Sequence, residues 1–293
     1  MNTLQKALVL GGKTGLVGQA LTETLASSGW HVTVTSRDDL DFNAKDASDT
    51  LASLIDKVQP DCVFNTIAYT QVDAAEDNQE DAKLLNRTVP AMLGRILKPT
   101  PCTLVHFSTD FVFNGKKQSP YTLEDTPDPI SVYGKTKLAG EEAIQNLGLP
   151  SFLIIRTAWL FGPGRDNFVS KILAACLKSQ SINVVHDQIG SPTYTHDLAQ
   201  YTLKLLEAGA SGLFHIVNSG QARWVELADE AVDLAGVECR VNAVPSSAYP
   251  QKAPRPAYSV LDCSALEKAT GITPRPWHQA LRDYIFRDFT PAV

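Results

Sequence analysis

Tyr133-Gly-Lys-Thr-Lys137 pairs a phenol with an ammonium at i and i+4, which stacks the two on one helix face, a turn apart. A phenol of ordinary pKa about 10 is a poor acid–base catalyst at neutral pH until a nearby ammonium stabilises its phenolate. Alone, such a pair reads as a surface pair, because the spacing is common by chance. Here it lies 24 residues after Thr109 in Ser108-Thr109-Asp110, at the end of a strand-like run. In that setting Thr109 is placed to hydrogen-bond a substrate carbonyl, Tyr133 to donate a proton and Lys137 to tune Tyr133.

A third motif, Gly12-Lys13-Thr14-Gly15-Leu16-Val17-Gly18, follows the apolar run Ala7-Leu-Val-Leu10 and opens a helix-like stretch. Glycines there permit a tight turn and close backbone approach, and a helix N-terminus offers free N–H groups to a pyrophosphate. The next strand-like run, His31–Thr35, leads into Ser36-Arg37. NAD-specific folds usually place Asp or Glu there, whereas Ser36 and Arg37 suit a 2′-phosphate, so NADPH is expected, with NADH the second choice. The plainer reading of Arg37 is a surface arginine.

The elements that must carry these residues alternate. Strand-like runs at Ala7–Leu10, His31–Thr35, Cys62–Ile67, Thr103–Phe107 and Phe152–Ile155 are separated by helical spacing over Gln19–Ser28, Ala47–Val58, Ala74–Arg87 and Pro90–Leu97. That order implies an α/β fold, Rossmann-like, with a doubly wound parallel sheet whose strand ends line a ligand crevice. Beyond about residue 163, strand-like Val184–Ile189 and Leu213–Val217, helical Trp224–Ala235 and proline-rich Pro245–Pro256 suggest a smaller lobe. The expected division is 1–162 for the nucleotide-binding domain and 163–293 for a mainly substrate-binding lobe, with segments that interleave.

The 293 residues carry 26 Lys+Arg against 32 Asp+Glu, a net charge of −6 with no basic stretch, so nucleic acid is not an expected partner. At 44% hydrophobic and 20% charged the chain reads as ordinary globular protein. No apolar run approaches a membrane span, and Ala7–Leu10 runs into glycines rather than a cleavage site. The five cysteines (62, 102, 176, 239, 263) lack a CxxC pair, from which reduced thiols and a cytoplasmic location are expected. The six histidines show no metal-ligand spacing, and His106, His186 and His215 read as structural.

Together the three motifs resemble the extended short-chain dehydrogenase/reductases. Further strings narrow the resemblance to the dTDP-4-dehydrorhamnose reductase family: Pro60-Asp-Cys-Val-Phe-Asn65, Ala68-Tyr-Thr-Gln-Val-Asp73, Ser108-Thr-Asp-Phe-Val-Phe-Asn-Gly115 and Arg156-Thr-Ala-Trp159. Asp187-Gln-Ile-Gly-Ser-Pro-Thr-Tyr194, Ala253-Pro-Arg-Pro256 and Trp277 extend it from residue 7 to about 285. The resemblance implies reduction of the C4 ketone of a dTDP-4-keto sugar for polysaccharide synthesis. It implies that the glycine loop, with Lys13 and Thr14, holds the cofactor pyrophosphate. Asp41 and Phe42 would lie by the adenine, and Thr66, Ile67 and Ala68 on the ribose side. Tyr133 and Lys137 would also contact the cofactor. Thr70, Val72, Asp110 and Trp159 would line the sugar pocket, and Arg255 would reach the substrate pyrophosphate. Core packing is the plainer role for Val72 and Trp159.

Two positions depart from the family pattern. Phe111 stands where the family usually has Tyr, which removes one hydroxyl from the sugar pocket and also disfavours a 4,6-dehydratase, which needs a carboxylate there. Ala20 stands where some members carry an acidic ligand for a magnesium ion bridging a dimer. No metal and no magnesium-bridged dimer are therefore expected, although a homodimer is compatible with the chain. The alternatives are a reductase of another nucleotide 4-keto sugar and a non-catalytic NADP-binding regulatory subunit.

Overall fold

The computed structural model describes residues 5–36, 38–249 and 251–289, so Arg37 lies outside the described residues. From the N-terminus run β1 (Lys6–Leu10), α1 (Leu16–Ser27), β2 (His31–Val34), α2 (Ala47–Val58) and β3 (Cys62–Asn65). Then come α3 (Val72–Asp77), α4 (Gln79–Lys83), α5 (Val89–Leu97), β4 (Thr103–Thr109), α6 (Val132–Gln145) and β5 (Phe152–Thr157). The lobe begins with β6 (Leu160–Phe161), α7 (Phe168–Cys176), β7 (Ser181–Val185), β8 (Ile189–Gly190) and β9 (Thr193–Tyr194). It continues through α8 (Thr195–Glu207), β10 (Gly212–His215), β11 (Ala222–Arg223), α9 (Trp224–Ala235), β12 (Arg240–Val244), α10 (Ser264–Thr270) and α11 (Trp277–Asp283).

Six strands form one parallel sheet in the order β10-β5-β4-β3-β1-β2. Its central strands are buried on both faces, as continuous apolar runs such as Ala7–Leu10 require. Strand order reverses beside β1, and the crevice at that switch point opens where the glycine loop joins α1. The two faces of the sheet are covered by separate apolar clusters, one around Val9, Leu21, Phe64 and Leu198, the other around Leu8, Leu51, Leu93 and Ile154.

The second lobe has only two-stranded pairings, β7 with β12, β8 with β11 and β6 with β9. An aromatic and aliphatic cluster with Phe161, Leu173, Tyr194, Trp277 and Tyr284 holds it together. After β9 the chain returns to the first domain, where α8 packs on α1 and β10 supplies the sheet's sixth strand.

Two expectations are corrected. The helix expected over Ala74–Arg87 breaks at Asn78, and Leu84–Thr88 is a π-helical turn leading into α5. The cysteines are not all reduced: Cys176 and Cys239 form a disulfide across 63 residues, and Cys62, Cys102 and Cys263 are free. A fold can join distant thiols whatever their local spacing. Among the described residues no helix is long and apolar enough to cross a membrane.

One buried ion pair locks the layers that matter most for chemistry. Arg156 on β5 donates to both Glu141 oxygens on α6, through Nε at 3.0 and 3.2 Å and through Nη2 to Oε2 at 2.6 Å, and Ser108 on β4 also donates to Glu141. Both charged side chains are at most 3% exposed. Removing one partner of such a pair strands the other charge and costs about 3–5 kcal/mol. Glu141→Gln is therefore expected to lower the urea midpoint by that equivalent, and a loss below about 1 kcal/mol would show that the pair is not a structural lock.

Candidate active site

A cleft of about 1110 Å³ runs from the start of α1, past the ends of β3, β4 and β5, to the lobe. At one end Gly15 caps α1 with its backbone alone, without an acidic residue in the first turn, so the helix N-terminus is open to an anion. Gly15, Leu16 and Val17 form this wall. Gly12 and Gly18 lie beneath it: a Cβ at Gly18 would stand 2.7 Å from the Gly11 carbonyl oxygen and 2.8 Å from Gly12 Cα. Only glycine permits that closeness, so the loop can close tightly against the start of α1.

Other expected cofactor residues are placed differently. Thr14 is exposed. Lys13 pairs with Asp39 at 2.9 Å, and Asp39 also accepts from the Ser36 N–H and hydroxyl at 2.7 and 2.8 Å. The Lys13 and Ser36 hydrogen bonds hold the Asp39 carboxyl down to about 2. Asp39 is a residue that the sequence reading missed. Asp41 and Phe42 line a separate hollow of about 190 Å³ rather than the main cleft. Thr66 and Ala68 reach the cleft wall, although the Thr66 hydroxyl donates to the Leu10 carbonyl at 2.7 Å. Ile67 packs into the core, and its N–H donates to Asn65 Oδ1 at 3.2 Å.

The proton-handling residues converge where β4 meets α6. Ser131 caps α6 by accepting from the Gly134 N–H at 3.1 Å. A Cβ at Gly134 would stand 2.2 Å from the Phe111 carbonyl oxygen, so glycine allows the helix to lie against the Thr109–Phe111 turn. Thr109 donates to Asp110 Oδ1 at 3.0 Å and accepts from the Phe111 N–H at 3.2 Å. Thr109 also lies close enough to the Tyr133 phenol to favour its ionised form. Burial pushes that phenol up to about 12, against the opposing pull of Thr109. Phe111 meets the Tyr133 ring edge-on at 5.6 Å, and both face the cleft. Burial likewise pushes Asp110 up to about 6, despite the opposing pull of Ser259 and Thr109 nearby. Among the described residues, Asp110 Oδ2 and Thr157 Oγ1 are buried on this wall without a protein partner.

Lys137 is not in the cleft wall. Its side chain is 1% exposed, and its amine donates to the Phe107 carbonyl and lies 3.4 Å from His106 Nε2. Burial brings it down to about 8, while the Glu141 charge opposes the change. The cleft floor rests on Asn86, whose side chain accepts from Tyr69 N–H at 2.9 Å and donates to Tyr69 O and Thr136 Oγ1 at 3.2 and 3.0 Å. Nothing in its local sequence marks that role.

Toward the lobe the walls include Thr70, Val72 and Trp159. Trp159 has φ +47°, and its ring stacks on Trp224 with centroids 3.5 Å apart and planes 5° from parallel. Trp224, which the sequence reading did not single out, donates its indole N–H to Gln188 at 3.1 Å. Arg255 reaches the cleft but is paired with Asp73 through two bonds of 2.6 and 2.7 Å. The two partners belong to separate strings of the sequence, and their pairing is invisible in either.

Residues 6–289 match the model of the family described as the RmlD substrate binding domain. A spore coat polysaccharide biosynthesis protein of Bacillus subtilis is 39% identical over 96% of this chain and 97% of its own. A dTDP-4-dehydrorhamnose reductase of Mycolicibacterium smegmatis is 35% identical over 97% of this chain and 86% of its own. The crystal structure of the Bacillus anthracis dTDP-4-dehydrorhamnose reductase in complex with NADP superposes with TM-score 0.92 at 28% identity, covering 96% of this chain and 99% of that one.

Asp110 supplies a test of the site's electrostatics. Its folded pKa of about 6 lies above the ordinary 3.8, so its contribution is full below that ordinary value and is lost as pH rises through 6. At neutral pH the buried carboxylate therefore opposes folding. Asp110→Asn is expected to gain about 2 kcal/mol at pH 8 relative to any change at pH 4. Denaturant titration of both forms at the two pH values checks it, and an equal effect at both would remove the raised acid from the site.

Proposed function

The chain belongs to the RmlD substrate binding domain family, and from that premise we propose that it is a reductase of dTDP-4-dehydro-β-L-rhamnose, with NADPH as the reductant and dTDP-L-rhamnose as the product. The observation that carries the reading is the convergence of the Thr109, Asp110 and Tyr133 side chains on one wall of a cleft that also holds an uncapped helix N-terminus. A dinucleotide is supported by the tight Gly12–Gly18 turn, and NADPH by the NADP in the similar Bacillus anthracis structure.

When bound, the nicotinamide supplies the hydride. The chain's own residues do the rest. Thr109 and Tyr133 present hydroxyls to the carbonyl oxygen, and the Tyr133 O–H transfers its proton as that oxygen gains electron density. A phenol raised to about 12 holds its proton until an alkoxide, a stronger base, develops beside it. The free Asp110 and Thr157 oxygens suit the hydroxyls of a sugar ring, since each is buried and lacks a protein partner. Phe111 and the Trp159–Trp224 stack supply apolar walls that fit a deoxysugar and exclude water. Lys171 and Arg255 line the cleft toward the lobe, in keeping with a doubly charged diphosphate.

Purified protein with NADPH is expected to oxidise the cofactor with dTDP-4-dehydro-L-rhamnose, and more slowly with UDP- and GDP-linked 4-keto sugars, read at the nicotinamide absorbance. Tyr133→Phe should leave NADPH binding nearly intact and cut turnover at least about 100-fold, the lower range for general acid catalysis. Tight NADPH binding without turnover of any 4-keto sugar would point to a regulatory binding protein instead.

A further inference from the structure

Lys137 has an unusual buried neighbour. The pair sits between three elements: Asn65 ends β3, His106 lies within β4 and Lys137 projects from α6. All three side chains are at most 1% exposed. Their contacts form a line in which Ile67 N–H meets Asn65 Oδ1 at 3.2 Å, Asn65 Nδ2 meets His106 Nδ1 at 3.1 Å, and His106 Nε2 meets Lys137 Nζ at 3.4 Å.

The direction of each proton along that line follows from its fixed end. A backbone N–H can only donate, so the Asn65 oxygen must face Ile67 and its NH₂ must face the imidazole. His106 Nδ1 is thus an acceptor, and a neutral ring then carries its proton on Nε2, aimed at Lys137. Burial and the nearby Lys137 hold His106 well below its ordinary pKa, so the ring is neutral at physiological pH. A neutral amine accepts that Nε2–H while donating to the Phe107 carbonyl. An ammonium instead meets it donor to donor.

We infer that His106 is a positioning residue: fixed by Asn65 as the Nε2–H tautomer, it opposes the charged form of Lys137 and so sets the pH at which that amine loses its proton. The other groups around Lys137 act in known directions. Glu141, one helical turn further along α6, favours the ammonium but is shared with Arg156 from β5 and Ser108 from β4. Tyr133 lies one turn earlier on α6, and Asp110 faces Tyr133 from the end of β4. If Tyr133 is the proton donor proposed above, an amine that titrates near working pH can resupply it, whereas a permanent ammonium cannot. The line also ties the Thr66–Ala68 segment of the cleft to the lysine, because Asn65 holds both.

The test does not need turnover, so it stands apart from the substrate assignment. Long-range ¹H–¹⁵N correlation on ¹⁵N-histidine protein should show His106 as the neutral Nε2–H tautomer from pH 6 to 9. An Nδ1–H tautomer or a protonated ring would overturn the proposal. In His106→Gln the side-chain oxygen can accept from Lys137, so the Lys137 titration midpoint, followed by ¹³C NMR of ¹³C-lysine protein, should rise by about one pH unit, tenfold in proton affinity. In the active enzyme the alkaline limb of the pH–rate profile should move with it. A folded variant, judged by circular dichroism and NADPH affinity, whose Lys137 midpoint does not move would equally overturn it. Where the variant does not fold, the wild-type tautomer decides.

Discussion

Arg156 and Glu141 carry opposite charges in a region that water does not reach, and the geometry of the site depends on them. An apolar pair of similar volume would fill the same space at lower desolvation cost, but it would slide. The fork of hydrogen bonds from Arg156 does not slide, because two donors meet two oxygens at once. Glu141 lies one helical turn from Lys137 and two from Tyr133 on α6, and Ser108 is the residue before Thr109. A single carboxylate therefore sets the rotation of the helix that bears the phenol and the height of the strand that bears the threonine. Arg156 also stacks at 5.2 Å on the Phe113 ring, just beyond the Asp110–Val112 turn, which steadies the far side of the same segment.

That rigidity has an electrostatic consequence. With α6 pressed against β4 the phenol, the carboxyl and the amine are each largely withdrawn from solvent, and burial is the first cause of all three shifts. Burial moves them in opposite senses: acids up, the base down. Tyr133 and Lys137 thus approach neutrality together, the condition under which a proton can pass from donor to product without separating charge in a dry pocket. The phenol alone, at about 12, is a weak acid, and Thr109 beside it is the group that pulls it back down.

Much of this was legible in the sequence, for reasons that are local. A strand buried on both faces must be a continuous apolar run, and residues 7–10, 62–64 and 152–155 are such runs. The motif glycines and Tyr133 were legible because tight turns and helix faces leave short-range marks. What stayed hidden depends on partners far along the chain. Lys137 carries no mark that it turns toward β4, nor does Arg255 show that Asp73, 182 residues away, holds it. The same is true of the Cys176–Cys239 bond and of β10, a strand late in the chain that completes the first domain's sheet. The break at Asn78 is subtler: apolar spacing continues through it, and only the packing of Leu84–Thr88 beside α6 shows why the helix widens there.

The lobe poses the opposite problem, since its pairings are too short to hold it in place. Ionic ties do part of that work: Arg275 binds Asp197 of α8 and Asp283 of α11, and the proline-rich strap is anchored on α3 through Asp73 and Asp77. The anchoring of Arg255 does not use up its hydrogen-bonding capacity. A guanidinium has five N–H donors in a rigid fork. Nη1 donates to Asp73 Oδ1 and to the Ala253 carbonyl, and Nη2 donates to Asp73 Oδ2. Two donors are left, on a side chain whose plane and reach are already set by the carboxylate. Asp73 therefore acts as an orienter rather than a competitor. It offsets the entropy of a long side chain in advance, so an anion in the cleft meets a fixed fork instead of a mobile one.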